Sequence, residues 1–124
     1  TGIMAQIALD AALKLKKKYN LNVGVIHFST IKPLDKNLLK KIIKNSNKLI
    51  TLEENVTEGG FGSSILEFNS RLNSKNKKAD IKIFGLPSLF SDKYGTQDQI
   101  LKYNNLHDDF LLKKMYNFIL NDRF

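Results

Sequence analysis

The sequence predicts an α/β domain, a three-layer sandwich with a mostly parallel sheet between helices. Three observations predict it. Helical and strand periodicities alternate along the chain. The strand-like runs are short, apolar and β-branched, as strands buried on both faces are. No repeat or low-complexity linker divides the 124 residues, whose 42% hydrophobic content suits a single globular core.

Residues 3–19 form the first helix, because Ile3, Ile7, Ala8, Ala11, Ala12 and Leu15 recur at helical spacing. Lys14, Lys16, Lys17 and Lys18 load its last turn, where the helix dipole favours cations. Asn20 and Asn22 break it, and Val23-Gly24-Val25-Ile26-His27-Phe28 reads as a buried parallel strand. Pro33 disfavours helix at Lys32, so the next helix starts at Leu34 or Asp35 and carries Leu38, Leu39, Ile42 and Ile43. Asn45-Ser46-Asn47 ends it. Lys48-Leu49-Ile50-Thr51-Leu52-Glu53 is a second strand with carboxylates at its end, and Gly59-Gly60-Phe61-Gly62-Ser63-Ser64 turns into a helix carrying Ile65, Leu66, Phe68 and Leu72. A polar loop over 73–78 precedes a third strand, Ile81-Lys82-Ile83-Phe84. After Gly85-Leu86-Pro87 come an irregular segment, a short helix near 97–103 and a last helix over about 107–120.

One element is expected and not found in the sequence. Thr1-Gly2 stands directly before the first helix, and in a βαβ layout so short a glycine turn follows a strand. The first strand of the domain is therefore expected upstream of Thr1, leaving the sheet with an open edge.

The formal net charge of +8 raises a nucleic-acid reading, but the basic residues are nearly all Lys, with Arg71 and Arg123 the exceptions. Base readout and bidentate phosphate contacts use Arg, so a nucleic-acid partner is not expected. No apolar run spans a bilayer and no signal-peptide order opens the chain, so a soluble protein without membrane partners is expected, with the cytoplasm as its compartment. Cysteine is absent, which excludes disulfides and thiolate metal sites. Two distant histidines offer no metal-ligand spacing, so no metal is expected on this chain.

The loop of Gly59, Gly60, Gly62 and Ser63 is the one motif with mechanistic content, since glycines let backbone N–H groups approach an anion at a helix N-terminus. It lacks the lysine of a P-loop, and Ile65 stands where the dinucleotide fingerprint needs Gly or Ala. A tight turn and close helix packing explain the glycines as well. Glu53 and Glu54 lie beyond the carboxyl end of a strand, where open α/β sheets place ligands, yet adjacent strand residues face opposite sides. A capping or interface role for one of them is favoured over paired acid–base catalysis. The sequence makes His27 a core histidine and His107 part of ordinary helix N-terminal chemistry beside Asp108 and Asp109. Ser63 and Ser64 lack the glycine of a nucleophile elbow, and Phe61, Phe68, Phe110, Tyr116 and Phe118 read as core positions. No catalytic or cofactor-binding residue is expected, and the candidate anion or interface loop comprises Glu53, Glu54, Gly59, Gly60, Gly62 and Ser63.

Three stretches, Phe28-Ser29-Thr30-Ile31-Lys32-Pro33-Leu34-Asp35, Ile50-Thr51-Leu52-Glu53-Glu54-Asn55 and Gly59-Gly60-Phe61-Gly62-Ser63, together resemble the C-terminal domain shared by transketolase, 1-deoxyxylulose-5-phosphate synthase and the 2-oxoacid dehydrogenase beta subunits. The resemblance covers nearly the whole chain. The stretch Thr30 to Asp35 is similar to transketolases, whereas Gly85-Leu86-Pro87, Phe90 and Gly95-Thr96-Gln97 look like the synthases. Ser88 stands where the synthases carry an acid and Tyr94 interrupts their spacing, which favours a transketolase-type protein moving a two-carbon ketol unit, with the synthase as the alternative. The resemblance implies that thiamine diphosphate and magnesium are bound by other domains, upstream on this chain or on a separate subunit, through a Gly-Asp-Gly motif absent here. It also implies a homodimeric full enzyme in which this domain supplies dimer contacts, and an inactive isolated chain. The alternative of another class is a free-standing anion- or nucleotide-binding module.

Overall fold

The computed structural model describes residues 2–73 and 75–121; Thr1, Ser74 and Arg123, which figure in the sequence reading, lie outside the described residues. The elements follow as α1 (Met4–Tyr19), α2 (Lys36–Asn45), β1 (Lys48–Val56), α3 (Phe61–Arg71), β2 (Asp80–Leu86), α4 (Gln97–Tyr103) and α5 (Asp108–Leu120). Local chemistry sets their ends. Asn20 adopts a left-handed φ of 55°, which turns its N–H back to Lys16 O and that of Leu21 to Leu15 O, closing α1. Asp35 caps α2 by accepting the Leu38 N–H at 2.9 Å. Thr96 and Gln99 form a reciprocal capping box at the start of α4.

β1 and β2 pair in parallel, from Lys48 opposite Asp80 to Leu52 opposite Phe84. Their side chains alternate between two apolar clusters. Ile50, Leu52, Phe84 and Leu86 face a larger cluster built on Met4, Ala11 and Leu15 of α1, Leu101 of α4 and Leu111, Leu112 and Met115 of α5. Leu49 and Ile81 face a smaller one with Leu39 and Ile43 of α2 and Ile65 of α3. The result is the expected three-layer α/β arrangement, with helices on both faces of a small parallel sheet. Tyr19 and Tyr116 stack at 4.0 Å between centroids and tie α1 to α5.

A buried side-chain bridge fixes the approach to β2. Asn69 donates through Nδ2 to Ala79 O at 2.9 Å and accepts the Ala79 N–H on Oδ1 at 3.1 Å. Replacing Asn69 with Ala strands both backbone groups of a buried residue and should cost about 2 kcal/mol. Urea unfolding of the variant checks this; an unchanged midpoint would show that water replaces the amide without loss.

Three sequence expectations need correction. Residues 23–28 are not a strand: the described residues contain a two-stranded sheet, and this segment has no strand beside it to pair with. Val23 packs at the rim of the larger cluster, whereas Val25 is exposed by 39% and Ile26 by 51%. His27 is therefore exposed and not a core residue. Phe110, at helical spacing with true core positions, falls half-exposed on the outer side of α5, where Lys114 Nζ lies 4.8 Å from its ring centroid.

Candidate functional site

The carboxyl end of β1 is irregular. Between the pairs Leu52–Phe84 and Val56–Leu86, three residues of β1 stand opposite Gly85 alone, so β1 bulges. Gly85 permits it: a Cβ there would lie 2.8 Å from Asn55 O and 2.9 Å from Glu53 Cγ. Glu53 shares a strand face with Leu49 and Thr51, which directs its side chain towards the start of α3.

Glu53 is 2% exposed, and both of its oxygens are engaged. Oε2 accepts the Phe61 N–H at 2.7 Å and Oε1 accepts the Gly62 N–H at 2.9 Å. These are two of the N–H groups that an α-helix leaves without partners, at the end where its dipole favours negative charge. A carboxylate from β1 thus serves as the cap that Gly60, lacking a side chain, cannot supply.

The glycines make this closeness possible. A Cβ on Gly60 would land on Glu53 Oε2 and Val56 O; on Gly62 it would meet Ile83 Cγ2 and Thr51 Oγ1, both at 2.6 Å. The left-handed conformation falls at Gly59, with φ 72°. Ser63 Oγ accepts the Gly59 N–H at 3.2 Å and donates to Thr57 O at 2.5 Å, which pins the loop. Glu53, Gly59, Gly60, Gly62 and Ser63 are thus brought together around the first turn of α3. Glu54 points away into solvent, where Gln97 Nε2 donates to its Oε2 at 2.6 Å and joins α4 to β1.

The loop has the form of an anion cradle, but its donors already hold the protein's own carboxylate. Among the described residues no group of three or more His, Cys, Asp or Glu is placed to hold a metal ion. No described helix is long and apolar enough to cross a membrane. His107 is the N-cap residue of α5, with Nδ1 2.5 Å from Asp108 Oδ1. Nearby, the hydrogen bond from Lys102 holds the Asp98 carboxyl below its ordinary range and raises Lys102 in turn; both groups are solvent-exposed, so the pair is an ordinary helix i,i+4 bridge.

Gly85 and Gln97 are the positions of this arrangement that the sequence reading did not assign. A lone glycine within a strand pattern is a bulge signal that could have found the first; a contact between residues 54 and 97 has no local signal.

A helix-flanked parallel sheet with a glycine-rich turn at its carboxyl end, closed by the sheet's own acid, defines the class as an α/β domain. The chain belongs to the transketolase C-terminal domain family, whose model matches residues 1–109. It is 36% identical over 109 residues to the 1-deoxy-D-xylulose-5-phosphate synthase of Clostridium perfringens, covering 86% of this chain and 16% of that protein. It is 36% identical over 118 residues to the Clostridium tetani protein of the same name, covering 93% and 18%. With the Bacillus licheniformis synthase the identity is 39% over 101 residues, covering 82% and 15%. The chain spans less than a fifth of the length of these relatives.

Proposed function

We propose that this chain is the C-terminal domain of a 1-deoxy-D-xylulose-5-phosphate-synthase-type enzyme, a thiamine-diphosphate-dependent transferase of the transketolase class, and that its own role is structural. Of the two kinds of protein between which the motifs divide, the relatives carry the synthase name, and the reading follows them. The observation that carries the structural role is the engagement of Glu53. The acid buried at the ligand end of the sheet is consumed in holding α3 to β1, so that end offers rigidity and a surface where a reaction centre would need free groups.

The residues present do not fit thiamine diphosphate with magnesium. A magnesium diphosphate needs convergent carboxylate and carbonyl oxygens, and neither a Gly-Asp-Gly motif nor a carboxylate cluster is available among the described residues. The cofactor belongs to other domains of a cytoplasmic, dimeric enzyme, against which this domain packs. Leu89, Phe90 and Tyr94, each at least 80% exposed between β2 and α4, are the natural contacts for such packing.

Calorimetric titration of the purified 124-residue chain with thiamine diphosphate and magnesium should give no saturable heat, and the chain alone should form no 1-deoxy-D-xylulose 5-phosphate. Turnover by the chain alone would defeat the reading. Saturable binding of ATP or NAD in the micromolar range would replace it with the anion-module alternative.

A further inference from the structure

Among the described residues β2 has one partner, β1, and its other edge is open. The Asp80 N–H donates to Asn47 O at 2.8 Å and Leu86 O accepts the Thr57 N–H at 3.0 Å, so the even-numbered residues of β2 turn their backbone groups towards β1. Ile83 and Gly85 therefore turn theirs to the open edge, which is a template for another strand. A trough of about 480 Å³ runs along it. Its far wall is one stripe of α5, made by Lys114, Asn117, Phe118 and the C-cap Asn121. Lys48, opposite Asp80, donates to Ile119 O at 2.8 Å, so α5 ends beside the start of β2 and runs antiparallel to it. The stripe and residues 82–85 both cover about 10 Å, the length of three or four extended residues. The lining holds two cations, Lys82 and Lys114, and no carboxylate. Neither lysine pairs with an acid among the described residues, and the side-chain amides of Asn117 and Asn121 are unbonded there too.

We propose that this trough binds an extended acidic segment of a partner protein, added as a strand to the open edge of β2. The N–H and C=O groups of Ile83 and Gly85 supply the pairing, and the alternation of side chains supplies the selectivity. Lys82 shares a strand face with Phe84, which packs on the α5 side, and Lys114 stands on α5 itself. Alternate residues of the incoming strand therefore face both ammoniums, and acids belong at those positions. The residues between them face the side of Ile83, where β-branched side chains fit the pleat. Nucleic acid meets the charge but not the edge, since a phosphate chain accepts hydrogen bonds and the carbonyls of Ile83 and Gly85 need donors. The site is separate from the catalytic assignment, and its occupancy is read without any activity.

The probe is the peptide acetyl-Val-Glu-Val-Glu-Val-amide, titrated into the isotope-labelled chain and followed by amide chemical shifts. Shifts at residues 82–85 and 114–121 should saturate with a Kd of about 0.1–1 mM, as suits a short strand with few anchors. Replacing the central Val of the peptide with Pro removes a ladder donor and keeps the charge, and should abolish saturation. Lys82→Glu and Lys114→Glu change exposed positions, so each should leave the melting temperature unchanged while weakening the peptide by about fivefold or more. The double variant should instead bind acetyl-Val-Lys-Val-Lys-Val-amide. Equal shifts from the proline peptide would reduce the effect to charge alone and overturn the proposal, as would no saturable shift from any peptide. A ten-residue oligothymidylate that saturates the same amides more tightly would overturn it in favour of a nucleic-acid surface.

Discussion

Gly62→Val should destabilise the domain by about 3 kcal/mol, seen as a fall in melting temperature of about 10 °C or more. The glycine sits in the first turn of α3 with backbone geometry open to any residue, so the effect comes from space and not from φ. A Cβ alone would overlap Ile83 on β2, Thr51 on β1 and Glu53 at the cap, and the branched methyls of Val would add to this. Relief would require α3 to move off the sheet, breaking the Glu53 bonds to the Phe61 and Gly62 N–H groups. Gly24→Ala is the matched control, since a Cβ there meets nothing within 4 Å. Equal melting temperatures for the two variants would mean that α3 does not sit against the sheet as described.

The second large effect is expected at Glu53. Glu53→Ala removes the acceptor for two N–H groups at the positive end of a helix and leaves a void where the carboxylate was, at a cost of about 2–4 kcal/mol. Glu53→Gln keeps the volume and one good acceptor, so it should lose less; its amide NH2 would point at one of the two donors. Glu54→Ala gives up only the exposed bond to Gln97 and should cost less than about 1 kcal/mol. Urea midpoints provide the test: the loss should be largest for Glu53→Ala, smaller for Glu53→Gln and smallest for Glu54→Ala. A larger loss at Glu54 than at Glu53 would reverse the assignment of the cap.

The helices were legible because their evidence is local. Asp35 before Leu38 and Leu39, or Thr96 three residues before Gln99, announces a helix start whatever lies elsewhere in the chain. The run Val23-Gly24-Val25-Ile26 shows where local evidence stops. Its composition asks for a strand, but a strand exists only beside a partner, and the structure provides none at that distance. The choice between Glu53 and Glu54 has the same character. Alternation puts one of them on the α3 side, and which one follows from the face that Leu49 and Thr51 take, a property of the packed sheet. Phe110 misled for a related reason, since helical spacing identifies a stripe and not how wide a stripe the neighbouring elements cover.

The alternation along β1 carries a last consequence. Leu49 and Ile50 are neighbours in sequence and occupy different interiors, so the sheet is a partition one backbone thick between two separately packed compartments. A change of side-chain volume at Leu49 is therefore met first by α2 and α3, and one at Ile50 by α1 and α5.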